Sequence, residues 1–231
     1  MKINSKNILT STVYISLIVQ FLSAIFSIIG LILKSSSGNL LIKDLVILEL
    51  IVQIIEAIFY IWLASNIIKI QNITSKRYYD WAITTPIMII TFIIYMVYRE
   101  KMNMGENVSN LRLWNIISSE KLKLLIICLL NGLMLIIGYL GEIRKIPLIN
   151  SVIIGFIVFC IYFYMIYKNF VGNDKISQIL FYTFMGLWSF YGLTTLFSYD
   201  WKNISYNILD VFSKNFFGIF LTWILINNNM N

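Results

Sequence analysis

Apolar residues along this chain come in long uninterrupted blocks separated by short polar stretches. Seven blocks stand out, at roughly 8–33, 45–67, 79–98, 122–141, 147–168, 177–198 and 204–227. Each is close to or above the roughly 20 residues that an α-helix needs to cross the hydrocarbon core of a bilayer. The blocks are continuous and do not alternate in ten-residue segments, so they predict helices and exclude the strands of a membrane barrel. The connections are short, which leaves no room for a separate soluble unit. The pattern predicts an all-α membrane protein, with residues 1–231 forming a single seven-helix domain. The first block is too long for a signal peptide and has no small-residue cleavage site after it.

Composition agrees with the pattern. The chain is 59% hydrophobic and only 13% charged, with a mean hydropathy of +0.80, far from an ordinary soluble domain. Its net charge of +7 sits mostly between the blocks, where it suits anionic lipid and gives no sign of nucleic acid. With the N-terminus outside, the inner connections hold nine Lys and Arg residues and the outer ones seven, a small bias that favours that orientation. The chain has no histidine, so no His-ligated metal and no His proton relay is expected. Cys128 and Cys160 fall within the blocks and read as small apolar residues, not as a disulfide.

The informative residues are the polar ones inside apolar blocks. Lys214 lies in the middle of the seventh block, four residues after Asp210 and seven after Asn207. A lysine at mid-membrane costs about 2.5–3.5 kcal/mol on insertion scales, so it must be paired, wetted or used chemically. The third block opens RYYDWAITTP, and regular spacing puts Arg77, Asp80 and Thr84 on one helix face. A helix start with a flanking Arg77–Asp80 ion pair at the membrane interface is the lesser alternative for that segment alone. The second block carries Glu49, Gln53 and Glu56 as a stripe, and the first carries Ser16, Gln20, Ser23 and Ser27. Serine stripes commonly serve helix packing, whereas two carboxylates one heptad apart in hydrocarbon point to an ion or proton path. In the sixth block, Trp188 and Tyr191 share a face.

Together these motifs resemble the microbial-type (type 1) rhodopsins. Arg77–Pro86 is similar to the family's third-helix Arg-x-x-Asp-Trp-x-x-Thr-Thr-Pro pattern, and Asp210 with Lys214 to its seventh-helix Asp-x-x-x-Lys. Trp188 and Tyr191 follow the sixth-helix pattern, although Gly192 stands where the family has proline. Asn131–Gly141 resembles the fourth-helix segment. The resemblance implies all-trans retinal held on Lys214 as a protonated Schiff base. Asp80 and Asp210 would be its counterions, with Asp80 the proton acceptor and Arg77 stabilising both carboxylates through water. Trp81 and Trp188 would flank the polyene. Thr84, Met88, Met134, Gly138 and Tyr191 would line the pocket, with Met88 favouring green absorption.

The departures from the family bear on function. The carboxylate that reprotonates the retinal nitrogen in the pumps is replaced by Thr91, and their external glutamate pair is not reproduced at Asp200 and Lys202. Asp80 argues against inward halide pumping, and Asp80, Thr84 and Thr91 do not match the sodium pumps. Ser16, Glu49, Gln53, Glu56 and Asn207 resemble the set of the group 1 viral rhodopsins, described as light-gated cation channels. The resemblance therefore implies a light-gated cation channel, with an outward proton pump and a photosensory rhodopsin as alternatives. An enzymatic role is not expected. The expected partners are the lipid bilayer and the transported cations or protons, and monomer, dimer and larger homo-oligomer are all left open.

Overall fold

The structure is a computed structural model and describes residues 5–33, 40–67 and 72–227. Lys2, Lys34 and Lys69, which enter the charge comparison above, lie outside these. Among the described residues the chain forms seven helices and no strand. They are α1 Ser5–Leu33, α2 Leu40–Asn66, α3 Ile73–Asn103, α4 Leu113–Glu142, α5 Leu148–Phe170, α6 Lys175–Thr194 and α7 Tyr199–Asn227. Consecutive helices pack side by side, and α7 returns against α1 and α2 to close the ring.

Most helices extend beyond their apolar blocks. α4 starts at Leu113, nine residues before the block at 122, and α3 runs on to Asn103. Hydropathy marks only the part of a helix that needs lipid, while backbone hydrogen bonding continues into the polar flanks. α6 is the exception, ending at Thr194, four residues short of its block. The other six helices are long and apolar enough to span a membrane by composition alone. α6 spends its length on Tyr, Trp, Ser and Gly, and its place in the ring comes from packing.

On the side formed by α1, α2 and α7 the bundle carries a polar seam inside and apolar residues outside. On α1 the buried face is Ser16, Gln20, Ser23 and Ser27, while Ile15, Ile18, Leu22 and Ile25 face outward. On α2 Glu49, Gln53, Glu56 and Tyr60 face inward. Lipid accepts the outer isoleucines, so burial of apolar area does not choose the inner face, and small and polar side chains do. At Gly30 α1 comes close to α7: a Cβ there would stand 2.5 Å from the Thr222 methyl. Two apolar clusters cap the polar interior. A large one includes Leu41, Leu45, Ile93, Phe217 and Leu221, where α3 and α7 end; a smaller one has Leu9, Val13, Leu63, Ile73 and Ile204 at their start. Of the two cysteines, which are unpaired, Cys160 faces outward, away from the core.

At the end of the bundle where α3 stops, Arg99 Nε and Nη2 both donate to Asp174 Oδ2, at 3.0 and 2.8 Å. Asp174 is also the N-cap of α6, accepting from the Ser177 backbone N–H at 3.1 Å. Burial pushes this carboxyl up, but the Arg99 and Ser177 hydrogen bonds outweigh it and hold the group below the usual carboxylate range. The folded value lies under the unfolded one, so the stabilisation is complete above the unfolded value and is lost as pH falls through the folded one. Asp174→Ala is expected to cost about 1 kcal/mol as a lost cap and to flatten the acid limb of thermal stability. An unchanged acid limb would assign that limb to other groups.

Candidate functional site

A π-helical turn, Val211–Asn215, interrupts α7 and contains Lys214. Such turns add a residue to the helical repeat and are frequent at functional sites. Here Ser213, Lys214 and Asn215 are all buried together.

Lys214 is 2% exposed, and three carboxylates surround its amine. Nζ donates to Asp80 Oδ2 at 2.7 Å and lies 3.1 Å from Glu56 Oε1 and 3.6 Å from Asp210 Oδ1. Asp210 is held on every side. Arg77 Nη1 pairs with its Oδ2 at 3.1 Å, the Tyr60 hydroxyl donates to Oδ2 at 2.7 Å, and the Tyr191 hydroxyl to Oδ1 at 2.8 Å. Arg77 also donates to Asn207, Asn203 and the Tyr60 oxygen. Charge-assisted contacts of this kind are the strong ones.

The alternative reading of an Arg77–Asp80 pair is corrected by this geometry. The two are neighbours on α3, yet Arg77 reaches toward the start of α7 and pairs with Asp210, while Asp80 turns to Lys214. Both lie inside the bundle, not at its interface: Arg77 is 0% and Asp80 5% exposed. A long guanidinium side chain bridges helices more readily than it folds back on its own.

The expected ion-path residues come together between α1, α2 and α7. Ser16 donates to the Asn207 carbonyl at 2.9 Å, Tyr60 to Asn207 Oδ1 at 3.1 Å, and Asn207 Nδ2 to Thr12 at 2.8 Å. Gln53 Oε1 is 3.4 Å from Ser27. Glu49 is fully buried, and neither of its oxygens accepts a hydrogen bond among the described residues. Both amide atoms of Gln20, Nε2 of Gln53 and Nδ2 of Asn215 are likewise buried and unpartnered. Glu56 stands apart from this group, because the structure brings it to Lys214.

An elongated cavity leads from Lys214 between α3, α4, α5 and α6. Trp81, Met88, Met134, Gly138, Trp188 and Tyr191 line it, and Phe156, Phe159 and Gly192 lie along it. Thr84 does not; its hydroxyl donates to the Asp80 carbonyl, and Thr85 lines the cavity, accepting from Asn131 Nδ2 at 2.7 Å. The walls are aromatic and thioether, the right surface for a long apolar ligand with one polar end at Lys214. Gly192 admits the Phe156 ring, which would meet a Cβ there at 2.7 Å. Gly192→Ala is expected to lower the yield of ligand-bound protein, and Phe156→Leu in the same chain to restore it. Equal yields in all three proteins would show that this end of the cavity does not limit binding.

The family sequence profile described as bacteriorhodopsin-like protein matches residues 8–228. The chain belongs to this family. Rhodopsin structures share its fold. Viral rhodopsin OLPVRII superposes with a TM-score of 0.80 at 24% identity, covering 96% of this chain and 99% of the other. A blue light-absorbing proteorhodopsin from Med12 gives 0.74 at 18%, with 96% and 99% covered. Halorhodopsin, a light-driven chloride pump, gives 0.67 at 15%, with 96% and 97% covered. None of the curated proteins matches this chain. As a member of the bacteriorhodopsin-like family it is an integral, multi-pass membrane protein, and the family implies a retinal chromophore. The cavity fits that group: it is apolar, aromatic-walled and closed at one end by a buried primary amine with carboxylates around it.

Several residues of this rhodopsin site escaped the sequence reading. Tyr60 continues the α2 stripe four residues after Glu56, and Asn203 precedes Asn207 by one turn, so extending each stripe by a turn finds both. Asn215, which accepts from Ser23 on α1 at 2.5 Å, had no such signal, because the π turn displaces it. Lys202 and Glu142 form a buried pair at 2.7 Å, joining the start of α7 to the end of α4. Neither stands in an apolar block.

Proposed function

We propose that this rhodopsin is a light-gated cation channel that uses all-trans retinal bound to Lys214. The observation that carries this reading is the set of buried polar atoms without partners between α1, α2 and α7: Gln20, Glu49, Gln53 and Asn215. In a hydrocarbon environment each such group costs several kcal/mol unless water reaches it. This set, which includes the Glu49 carboxylate and has Glu56 on the same helix, therefore favours a hydrated, negatively biased route along the bundle, which is what a cation path needs. The apolar clusters at either end of the polar interior would keep that route shut in the dark. This arrangement, with Ser16, Glu49, Gln53, Glu56 and Asn207, is also why the group 1 viral rhodopsins are the favoured likeness.

Retinal, when bound, supplies a positive charge at the Lys214 nitrogen and a bond that light can isomerise. The chain supplies the rest. Asp80, at 2.7 Å, compensates the nitrogen and stands ready to take its proton. Asp210 is fixed by Arg77, Tyr60 and Tyr191 and is the second counterion. Trp81 and Trp188 confine the ligand to the cavity and exclude water from it.

An outward proton pump is the second reading, favoured by the Asp80 contact. Against it, α3 offers Thr91 where a proton donor would stand, and that hydroxyl is bound to its own helix at 2.9 Å. Photocurrent against voltage separates the two. A channel gives a current that reverses with the cation gradient, whereas a current of one sign at every voltage sinks the channel reading. Glu49→Gln is expected to reduce conductance or change cation selectivity several-fold, and an unaltered current–voltage curve would make the stripe a packing surface.

A further inference from the structure

A second cavity opens at the end of the bundle where α3, α5 and α7 begin and α4 ends. It is a separate chamber from the one at Lys214, and Thr195 is the one residue that lines both. Its charged lining is one-sided. Glu142 is the only acid among the lining residues, and Lys202 Nζ donates to both oxygens of that carboxylate, at 3.0 and 2.7 Å. Arg144 and Lys145 line the same cavity, and no further acid of the lining meets them. Three cations against one carboxylate leave the chamber with uncompensated positive charge.

The backbone at Arg144 adds to this. Its φ is 58°, in the left-handed region that glycine enters freely and an L-residue enters at a cost. The turn is held by the Arg144 N–H donating to the Gly141 carbonyl at 3.0 Å and the Lys145 N–H to the Leu140 carbonyl at 2.8 Å. Glycine is the usual residue in this conformation at a helix end; here the turn carries a guanidinium to the cavity instead. A few residues on, α5 starts behind Pro147 with no side chain capping its first turn, and Pro147 and Leu148 both line the chamber. The positive end of that helix dipole adds to the field of the three side chains. Phe197, 53% exposed, gives the chamber an apolar margin.

We propose that this chamber binds a phosphate group, held by Arg144 and Lys145 on its open side and by the buried Lys202, which Glu142 keeps in place. A guanidinium fork matches two oxygens of one phosphate, and the ammonium groups act as point charges on the others. The apolar margin suits a phosphate carried by a lipid headgroup, and the cations serve a free phosphate equally well. The chamber shares no residue with the unpartnered polar groups between α1, α2 and α7, so the proposal is independent of the channel reading.

The test compares the melting of retinal-bound protein in a maltoside detergent with sodium phosphate and with sodium chloride at equal ionic strength. Phosphate is expected to raise the melting temperature by several degrees and to saturate, as a ligand of the folded state does, whereas chloride is not. The double variant Arg144→Gln with Lys145→Gln is expected to weaken that response several-fold. Arg144→Gly, which relaxes the backbone and so retains the fold, is expected to weaken it too. For the lipid source, protein isolated from mixed phosphatidylglycerol and phosphatidylcholine is weighed intact by mass spectrometry. Phosphatidylglycerol retained by the unaltered chain and lost from both variants assigns the phosphate to a headgroup; a response to free phosphate alone assigns it to solution. No response to either probe would overturn the site. So would a chloride response equal to that of phosphate with no lipid retained, or responses that persist unchanged in both variants.

Discussion

Lys214→Ala is expected to abolish visible absorbance after incubation with all-trans retinal. Among the described residues no other lysine lines the cavity, so the ligand loses its point of attachment there. The substitution also removes the cation that faces Glu56, Asp80 and Asp210 at 3.1, 2.7 and 3.6 Å. Three carboxylates would then share the charge of Arg77, which is committed to Asp210. Truncating one partner of a buried pair costs about 3–5 kcal/mol, so the variant is expected to unfold more readily as well as to lack colour. Soaking it with a primary alkylamine adduct of retinal is expected to restore both in part, because the cavity and its counterions remain. A coloured Lys214→Ala protein without added amine would remove the retinal assignment.

Arg77→Gln is the second large effect, and it falls on stability. The guanidinium joins α3 to α7 through Asp210, Asn203 and Asn207, and to α2 through Tyr60. Its loss leaves Asp210 with only hydroxyl donors and the Lys214 nitrogen beyond. A destabilisation of about 3–5 kcal/mol is expected, measured as a fall in the denaturant needed to bleach or unfold the protein. Asp210→Asn combined with Arg77→Gln should recover part of it, since the double variant leaves no unpaired charge at this point. A double variant no better than Arg77→Gln alone would show that the arginine acts through Asn203 and Asn207, not through the carboxylate.

Much of the molecule was legible in the chain. The apolar blocks located the seven helices because in lipid every backbone group must be satisfied within a segment, and length in apolar residues is then a direct requirement. α6 tested that rule: rich in Tyr, Trp and Gly, it is the weakest block and the one whose end was overrun. The buried faces of α1 and α2 were also readable, because Ser16, Gln20, Ser23 and Ser27, and Glu49, Gln53 and Glu56, recur at helical spacing. Lys214, Asp80, Trp81, Trp188 and Tyr191 were marked by type and spacing; four of them line one cavity, and Asp80 pairs with its lysine.

Partnership was legible only through the family resemblance, which set Asp80 and Asp210 against Lys214, and not from spacing alone. Regular spacing put Arg77 beside Asp80, but spacing within one helix says nothing of which side chain a neighbouring helix offers, and Asp210 was the better acceptor for a long guanidinium. Glu56 read as one of a stripe with Glu49, and only the approach of α2 to α7 sets one against Lys214 while leaving the other unpartnered.

The sequence by itself determined the helices, their inward faces and the lysine that must be compensated, because these follow from local periodicity and the cost of polar groups in lipid. The tertiary structure alone decided the three carboxylates around Lys214 and the burial of Asn215. Those depend on the extra residue of the π turn and on how three helices close upon one another, and neither leaves a trace in the spacing of residues along the chain.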